Sequence, residues 1–226
     1  MTSGRWPGAV RRAALLVVLP CLLPLAGCTR AVDGVPTAGT GRSQPSSAEE
    51  LEPLVVSDVP SGLRRLPDGQ LHPPAGAKRV EDVAGYSQDP AREREVLEDY
   101  GYRYGWERFW GDGSAPMTVV FVDQFGTRAG AGAYAEDLAR NEAERYDGVL
   151  DEHPPDLPGG CRLLTVADPD PDPDEPDSGL TGPAALAWCG HGAFSVGVTA
   201  VAGSVDAAKD EVRAVLAEQL ERLPPA

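Results

Sequence analysis

Residues 100–125 read YGYRYGWERFWGDGSAPMTVVFVDQF, and the fold turns on how this stretch is parsed. Tyr100, Tyr102, Tyr104, Trp106 and Trp110 share one parity with Arg108, while Arg103, Glu107 and Phe109 take the other. Side chains alternate between the two faces of a strand, so this spacing predicts a strand with one heavily aromatic face. Residues 111–114, GDGS, form a turn sequence, and residues 117–125, MTVVFVDQF, are apolar at both parities, as a central strand is. The two strands are expected to pair as a hairpin.

On the N-terminal side, Asp89 is placed to cap a helix that starts at Pro90 and stops at Gly101. On the C-terminal side, Thr127 opens a helix to about Tyr146 with Ala131, Tyr134, Leu138 and Ala143 along one stripe. Strands are expected at 162–166, 184–189 and 193–201, and a last helix from a Ser204 cap to Leu223, ended by Pro224. Strands that come in adjacent runs, not one per helix, predict an α+β domain. The expected architecture is a largely antiparallel sheet of about five strands with helices packed on it and one disulfide.

The N-terminus reads differently. Residues 1–12 carry Arg5, Arg11 and Arg12 and no acidic residue, and an apolar run, AALLVVLPCLLPL, follows at 13–25. That order is an export signal, and the run is shorter than the roughly 20 apolar residues of a bilayer-spanning helix. It ends in Leu25-Ala26-Gly27-Cys28, which resembles the lipobox of bacterial lipoproteins. The resemblance implies that the Cys28 thiol is diacylated and that Cys28 becomes the first residue of the mature chain. Residues 1–27 are then a lipoprotein signal peptide, and 28–52, rich in Gly, Ser, Thr and Pro, a flexible tether. Residues 53–226 form the globular domain.

With Cys28 lipidated and Cys21 removed with the signal, Cys161 and Cys189 remain for an oxidising exterior and are expected to pair. A metal site built from His153, Cys161, Cys189 and His191 is the alternative, but Cys-Gly-His at 189–191 is not a usual ligand spacing. The acidic run at 168–177, DPDPDPDEPD, places Asp168, Asp170 and Asp172 like calcium-loop ligands. Pro173 stands where that loop needs Gly, however, and Gly179 where it needs a bidentate Glu. It reads as a solvated surface loop. No metal and no cofactor is expected.

The chain carries 35 acidic and 20 basic residues, a formal charge of -15, which repels phosphate and leaves no basic stripe for nucleic acid. Catalytic motifs are missing as well. Residues 193–197, AFSVG, approach a nucleophile elbow, but Ser195 lies inside an alternating strand and the last His, His191, precedes it. No phosphate-binding loop, HExxH helix or dinucleotide turn is present. No catalytic residue is assigned.

Tyr102, Tyr104, Trp106, Arg108 and Trp110 are the candidate ligand-binding residues, because aromatic faces stack on sugars or line apolar cavities and Arg108 can pair with an anion. The same row serves equally as the core face under the helices. The lipobox, the low-complexity tether, the Ser-Asp-Val-Pro-Ser-Gly run ending at Gly62, the Gly105-Trp106 strand and the late Cys pair together look like small actinobacterial cell-envelope lipoproteins with sensor-like or PsbP-like α/β domains. That resemblance implies a binding or interaction module without catalytic activity, held on the extracytoplasmic face of the membrane by its N-terminal lipid. An envelope protein or a small ligand is the expected partner. The second expectation is a carrier or sensor of a hydrophobic or glycan ligand, in a cleft lined by the aromatic strand.

Overall fold

The computed structural model describes residues 43–112, 115–169 and 180–226. The expected signal peptide, Cys28, the expected tether up to residue 42, residues 113–114 and the acidic run from residue 170 onward lie outside the described residues.

Seven strands form one sheet in the order β1-β2-β3-β7-β6-β5-β4, every neighbouring pair antiparallel. They are β1 (Gly76–Lys78), β2 (Tyr102–Trp110), β3 (Met117–Phe125), β4 (Val149–Asp151), β5 (Cys161–Val166), β6 (Ala184–His191) and β7 (Phe194–Val201). The α+β class and the antiparallel sheet are as the pattern predicts; the count of about five strands is corrected to seven. The two added strands, β1 and β4, are the sheet's edges and have three residues each, too few for any alternation to register.

Among the described residues four α-helices complete the fold: α1 (Val80–Ala84), α2 (Pro90–Tyr100), α3 (Arg128–Tyr146) and α4 (Val205–Arg222). The last three start after the capping residues read from the sequence. The side chains of Asp89, Thr127 and Ser204 accept from the backbone N–H groups of Arg92, Gly130 and Ala207, satisfying donors that have no intrahelical partner. Gly101 ends α2 in the left-handed conformation, φ 79°, that glycine adopts most readily.

Alternation along the strands sorts the core into two sides. Val120, Val122, Leu163, Ala187, Val196 and Val198 pack with Val212, Val215 and Leu216 of α4. On the reverse face Leu164, Val166, Leu186 and Trp188 meet Ala135 and Ala139 of α3. The alanine stripe of α3 lets that helix lie close on the sheet. Arg162 Nη2 and Arg140 Nη2 each reach a Glu136 carboxylate oxygen at 2.6 Å, tying the outer side of α3 to β5.

The expected start of the globular body at residue 53 is also corrected. Pro45 and Leu51 are buried, so residues 43–52, expected as the end of a tether, belong to the packed body. The polar composition of SQPSSAEELE concealed this, because the segment is fixed by hydrogen bonds to its backbone as much as by side chains of its own.

Cys161 and Cys189 form the disulfide. They are directly opposed in the register of β5 and β6, with Cα atoms 4.0 Å apart, and both are buried. The bridge closes a loop of sequence separation 28, and constraining the unfolded chain to that extent is worth about 3–4 kcal/mol. Replacing both cysteines by alanine is therefore expected to lower the thermal midpoint by about 10 °C in a circular-dichroism melt. An unchanged midpoint would show that the bridge contributes nothing to stability.

Candidate functional site

The aromatic row does not lie on one face. Tyr102 pairs with Phe125 but Tyr104 pairs with Gln124, so β2 advances two residues where β3 advances one, a β-bulge at Arg103. The bulge inverts the parity. Tyr104, Trp106 and Trp110 join the core on the α4 side, whereas Tyr102 turns to the other face and packs with Phe125, Leu97 and Tyr134. The five candidate ligand residues are thus divided between two sites.

On the α4 side, the expected cleft is filled by the chain itself. Residues 43–61 cross the sheet beside α4, and Leu51, Val55, Val56 and Val59 are buried against Trp106 and Trp110. Burial of side chains of this size stabilises by about 1.5–3 kcal/mol each. Polar side chains from the sheet and helix hold the backbone of this strap. Tyr104 donates its hydroxyl to Pro45 O at 2.6 Å, and Gln124 Nε2 donates to the same oxygen at 3.2 Å. Arg108, only 3% exposed, donates through Nη1 to Val55 O and Val56 O at 3.0 and 2.7 Å, and through Nη2 to Glu52 O. Gln219 of α4 accepts from Val56 N and donates to Leu54 O, both at 3.0 Å. At the far end Trp110 Nε1 donates to Ser57 O, and Glu211 accepts from Ser61 N and Ser61 Oγ.

Arg108 is therefore a strap anchor, not a free cation awaiting an anionic ligand. Its closest carboxylate oxygen, on Glu52, is 3.8 Å away, and burial pulls its pKa down.

The reverse face of β2 carries a buried polar cluster. Lys78 of β1 places Nζ 2.7 Å from Glu107 Oε2, and also donates to Pro74 O at 2.5 Å and to Tyr86 Oη at 2.7 Å. The Tyr86 hydroxyl in turn donates to Glu107 at 2.8 Å. Glu107, Tyr86 and the Pro74 carbonyl thus occupy all three donor positions of the ammonium. Burial raises the Glu107 carboxyl, and the hydrogen bonds and charge of Lys78 oppose that rise.

Beside it, Asp123 of β3 accepts from the Tyr102 hydroxyl at 3.2 Å and is pushed up to about 7, chiefly by burial. This carboxylate lies over Gly105, where a Cβ would collide with Asp123 Oδ1 and the Tyr102 hydroxyl. That is why a glycine stands in the middle of an aromatic strand. The sequence reading missed Lys78, Glu107, Asp123 and Gln219. Two signals were available: a charge inside the apolar run MTVVFVDQF, and a lone glycine between Tyr104 and Trp106.

Other residues singled out from the sequence have structural places. Cys161 and Cys189 are bonded to each other and so offer no thiolate to a metal. His191 Nε2 is 2.9 Å from Pro224 O, pinning the chain beyond α4, and Ser195 is buried within β7. A cavity of about 160 Å³ opens between α2 and α3, lined by Glu93, Val96 and Tyr100 from one helix and by Tyr134, Asp137 and Leu138 from the other, with Asn141 at its end. No family model, curated protein or solved structure matches this chain.

The elevated Asp123 carboxyl has a measurable consequence. Its folded-state pKa lies above the unfolded value near 3.8, so the folded chain holds a proton that the unfolded chain releases. The stability contributed is fully present below about pH 4 and is lost as pH rises through about 7, on the order of 4 kcal/mol at about 1.4 kcal/mol per pKa unit. Asp123→Asn stays neutral throughout. Urea unfolding at pH 4 and pH 8 is expected to show the unmodified chain losing that much more stability than the variant. Equal losses would show that Asp123 ionises without penalty.

Proposed function

We propose that this chain is a lipid-anchored interaction module on the extracytoplasmic face of the cell membrane, without catalytic activity. The observation that carries the reading is the filled aromatic face: Trp106, Arg108 and Trp110 are buried under residues 51–59 and serve the protein's own strap. What the folded body offers a partner is its outer surface.

Two features support the compartment. The Cys161–Cys189 disulfide suits an oxidising exterior. The Leu25-Ala26-Gly27-Cys28 tetrapeptide follows an apolar run of export-signal length. Among the described residues no helix is long and apolar enough to cross a membrane. Two acyl chains on Cys28 would hold the protein stably at the bilayer, since a single chain binds only marginally.

The second reading, a carrier of a hydrophobic or glycan ligand against the aromatic strand, requires residues 51–59 to leave that face. It is the weaker one. A surface cavity of about 410 Å³ is lined by Pro53, Leu54, Glu218, Glu221 and Arg222 and by no residue of the aromatic strand, and the α2–α3 cavity, at about 160 Å³, is below the roughly 300–1,000 Å³ of pockets that enclose a whole small-molecule ligand.

Anchoring is tested by producing the full chain and Cys28→Ala in a bacterial host that matures lipoproteins. The expected result is that the unmodified chain enters the detergent phase on phase separation with an acylated N-terminal cysteine by mass, and that the variant carries no acyl mass. Equal partitioning with no acyl mass on either protein would refute the anchor. Native mass spectrometry separates the two readings: a bare mass supports the module, and a reproducible bound lipid or glycan supports the carrier.

A further inference from the structure

The pairing register sets Lys78, Gly105 and Asp123 in one row across β1, β2 and β3. Glu107 lies two positions from Gly105 on the same strand, so it shares their reverse face. Lys78, Glu107 and Asp123 are 2, 2 and 4% exposed. Gly105 puts no side chain between its neighbours, and Asp123 Oδ1 leans over it, into the place a Cβ would take. That oxygen is thus about one strand spacing, roughly 4.8 Å, from the backbone of β1, a span that the four-carbon stem of Lys78 covers.

One buried ammonium is therefore set between two carboxylates. Lys78 serves Glu107 and two neutral acceptors, the Pro74 carbonyl and the Tyr86 hydroxyl. Asp123 accepts only from the Tyr102 hydroxyl among the described residues. With a proton on Asp123 the three groups sum to zero charge; without it they carry one unbalanced negative charge, which is costly to bury. An ammonium prefers a charged acceptor to a neutral one, because a charge-assisted hydrogen bond is about twice as strong.

The groups that face Asp123 come from every neighbouring element. Burial raises the phenols of Tyr102 on β2, Tyr134 on α3 and Tyr86 after α1, and the charges of Asp123 or Glu107 raise them further, so all three keep their protons. Asp82 of α1 adds to the rise of Tyr86 and Tyr102, and Glu93 of α2 to that of Tyr134. Ser195, opposite Asp123 on β7, does not titrate. Burial also raises Glu107, against the pull of Lys78 and Tyr86 and with Asp68 adding to it. Asp123 is pushed up to about 7, first by burial; the Tyr102 bond and Lys78 oppose the rise and the Glu107 charge adds to it. Asp123 therefore holds its proton below about pH 7 and releases it above.

Tyr86 is held from the inside. Its ring is 45% exposed and meets Phe121 of β3 edge-on, with centroids 6.3 Å apart, while its hydroxyl reaches between Lys78 and Glu107. We propose that this cluster is a proton-operated latch: with Asp123 protonated, Lys78 holds Tyr86 and the Pro74 carbonyl against the sheet, and with Asp123 ionised, Lys78 bridges the two carboxylates across Gly105 and lets both neutral acceptors go. The Tyr86 ring, left with its single bond to Glu107, then loosens over Phe121, and the turn that carries Pro74 loosens with it. The latch is independent of the lipid anchor and stands whether or not Cys28 is acylated.

The test is an NMR titration of the full chain in detergent micelles from pH 5 to pH 9, with the Asp123 carboxyl, the Lys78 ammonium, the Tyr86 ring and amide exchange as readouts. The Ala75 amide, bonded to Asp68 O, and the Tyr86 amide, bonded to Val83 O, report on the two latched segments. Both are expected to lose protection about tenfold or more, corrected for free-amide exchange, at the midpoint of the Asp123 titration near 7, as hydrogen bonds from a charged donor are lost. The Tyr86 ring signals step at the same pH, and the Lys78 ammonium trades its Tyr86 contact for one to Asp123. Asp123→Asn stays neutral and should hold the latch closed throughout, with no step. Tyr86→Phe keeps the half-exposed ring and removes the hydroxyl; it should abolish the step at that position and leave the one at Ala75, and it decides the test if Asp123→Asn disturbs the fold. A Tyr86 ring and Ala75 amide that stay unchanged while Asp123 titrates, steps that survive Asp123→Asn, a step at position 86 that survives Tyr86→Phe, or a Lys78 ammonium that stays on Tyr86 at pH 9 would overturn the proposal.

Discussion

A guanidinium on the face of a β-sheet, with no carboxylate within hydrogen-bond distance among the described residues, dictates how this protein is closed. Arg108 cannot shed its charge, so its burial is tolerable only if its protons find oxygen acceptors. The carbonyls of Glu52, Val55 and Val56 accept from Nη1 and Nη2, leaving Nε without a partner among the described residues, and they are in place only when residues 43–61 lie across the sheet. The dependence is mutual. Without Arg108 and Gln219 the strap would bury carbonyls and an amide with no partners, and without the strap Trp106 and Trp110 would lose their apolar cover. A segment of turns with one 3-10 helix, Glu52–Leu54, thus takes the position beside α4 that a second helix fills in other layered folds.

The opposite face of β2 solves the same problem with the opposite charge. Glu107 precedes Arg108 by one position in the strand, so its side chain leaves on the other face, where Lys78 of the edge strand neutralises it. Asp123, on the neighbouring strand, accepts from the Tyr102 hydroxyl alone among the described residues, and burial, which that bond only partly offsets, raises its pKa. The bulge at Arg103 links the two sides. By moving Tyr102 to the reverse face it delivers a donor to Asp123 while leaving Tyr104 to reach Pro45.

Much of the scaffold was legible in the sequence because it rests on local rules. Asp89, Thr127 and Ser204 cap the helices their types predict, and the apolar runs at 184–189 and 193–201 mark two neighbouring strands. The pairing of Cys161 with Cys189 followed from counting cysteines once Cys28 was set aside. The rest failed for physical reasons. β1 and β4 are too short to show a period, and a bulge cannot be seen in a run whose aromatics suit either face. The strap was read as a tether because its hydrogen bonds are made by its backbone, which composition does not record. The cavity between α2 and α3 depends on two helix faces meeting, and the Tyr100–Asp137 hydrogen bond that joins them spans 37 positions of sequence.

These features close the sheet's aromatic face with the chain's own residues. The central claim, that residues 43–61 are a structural layer and not a detachable cover, is tested most directly by native-state hydrogen exchange on the full chain. The account predicts that the Val56 amide, which donates to Gln219 Oε1, exchanges with the same free energy as the Val120 amide of β3 and the Val198 amide of β7, through global unfolding. Exchange of Val56 at a loop-like rate while Val120 and Val198 stay fully protected would contradict it, and would return the aromatic face to the role of a cleft that opens.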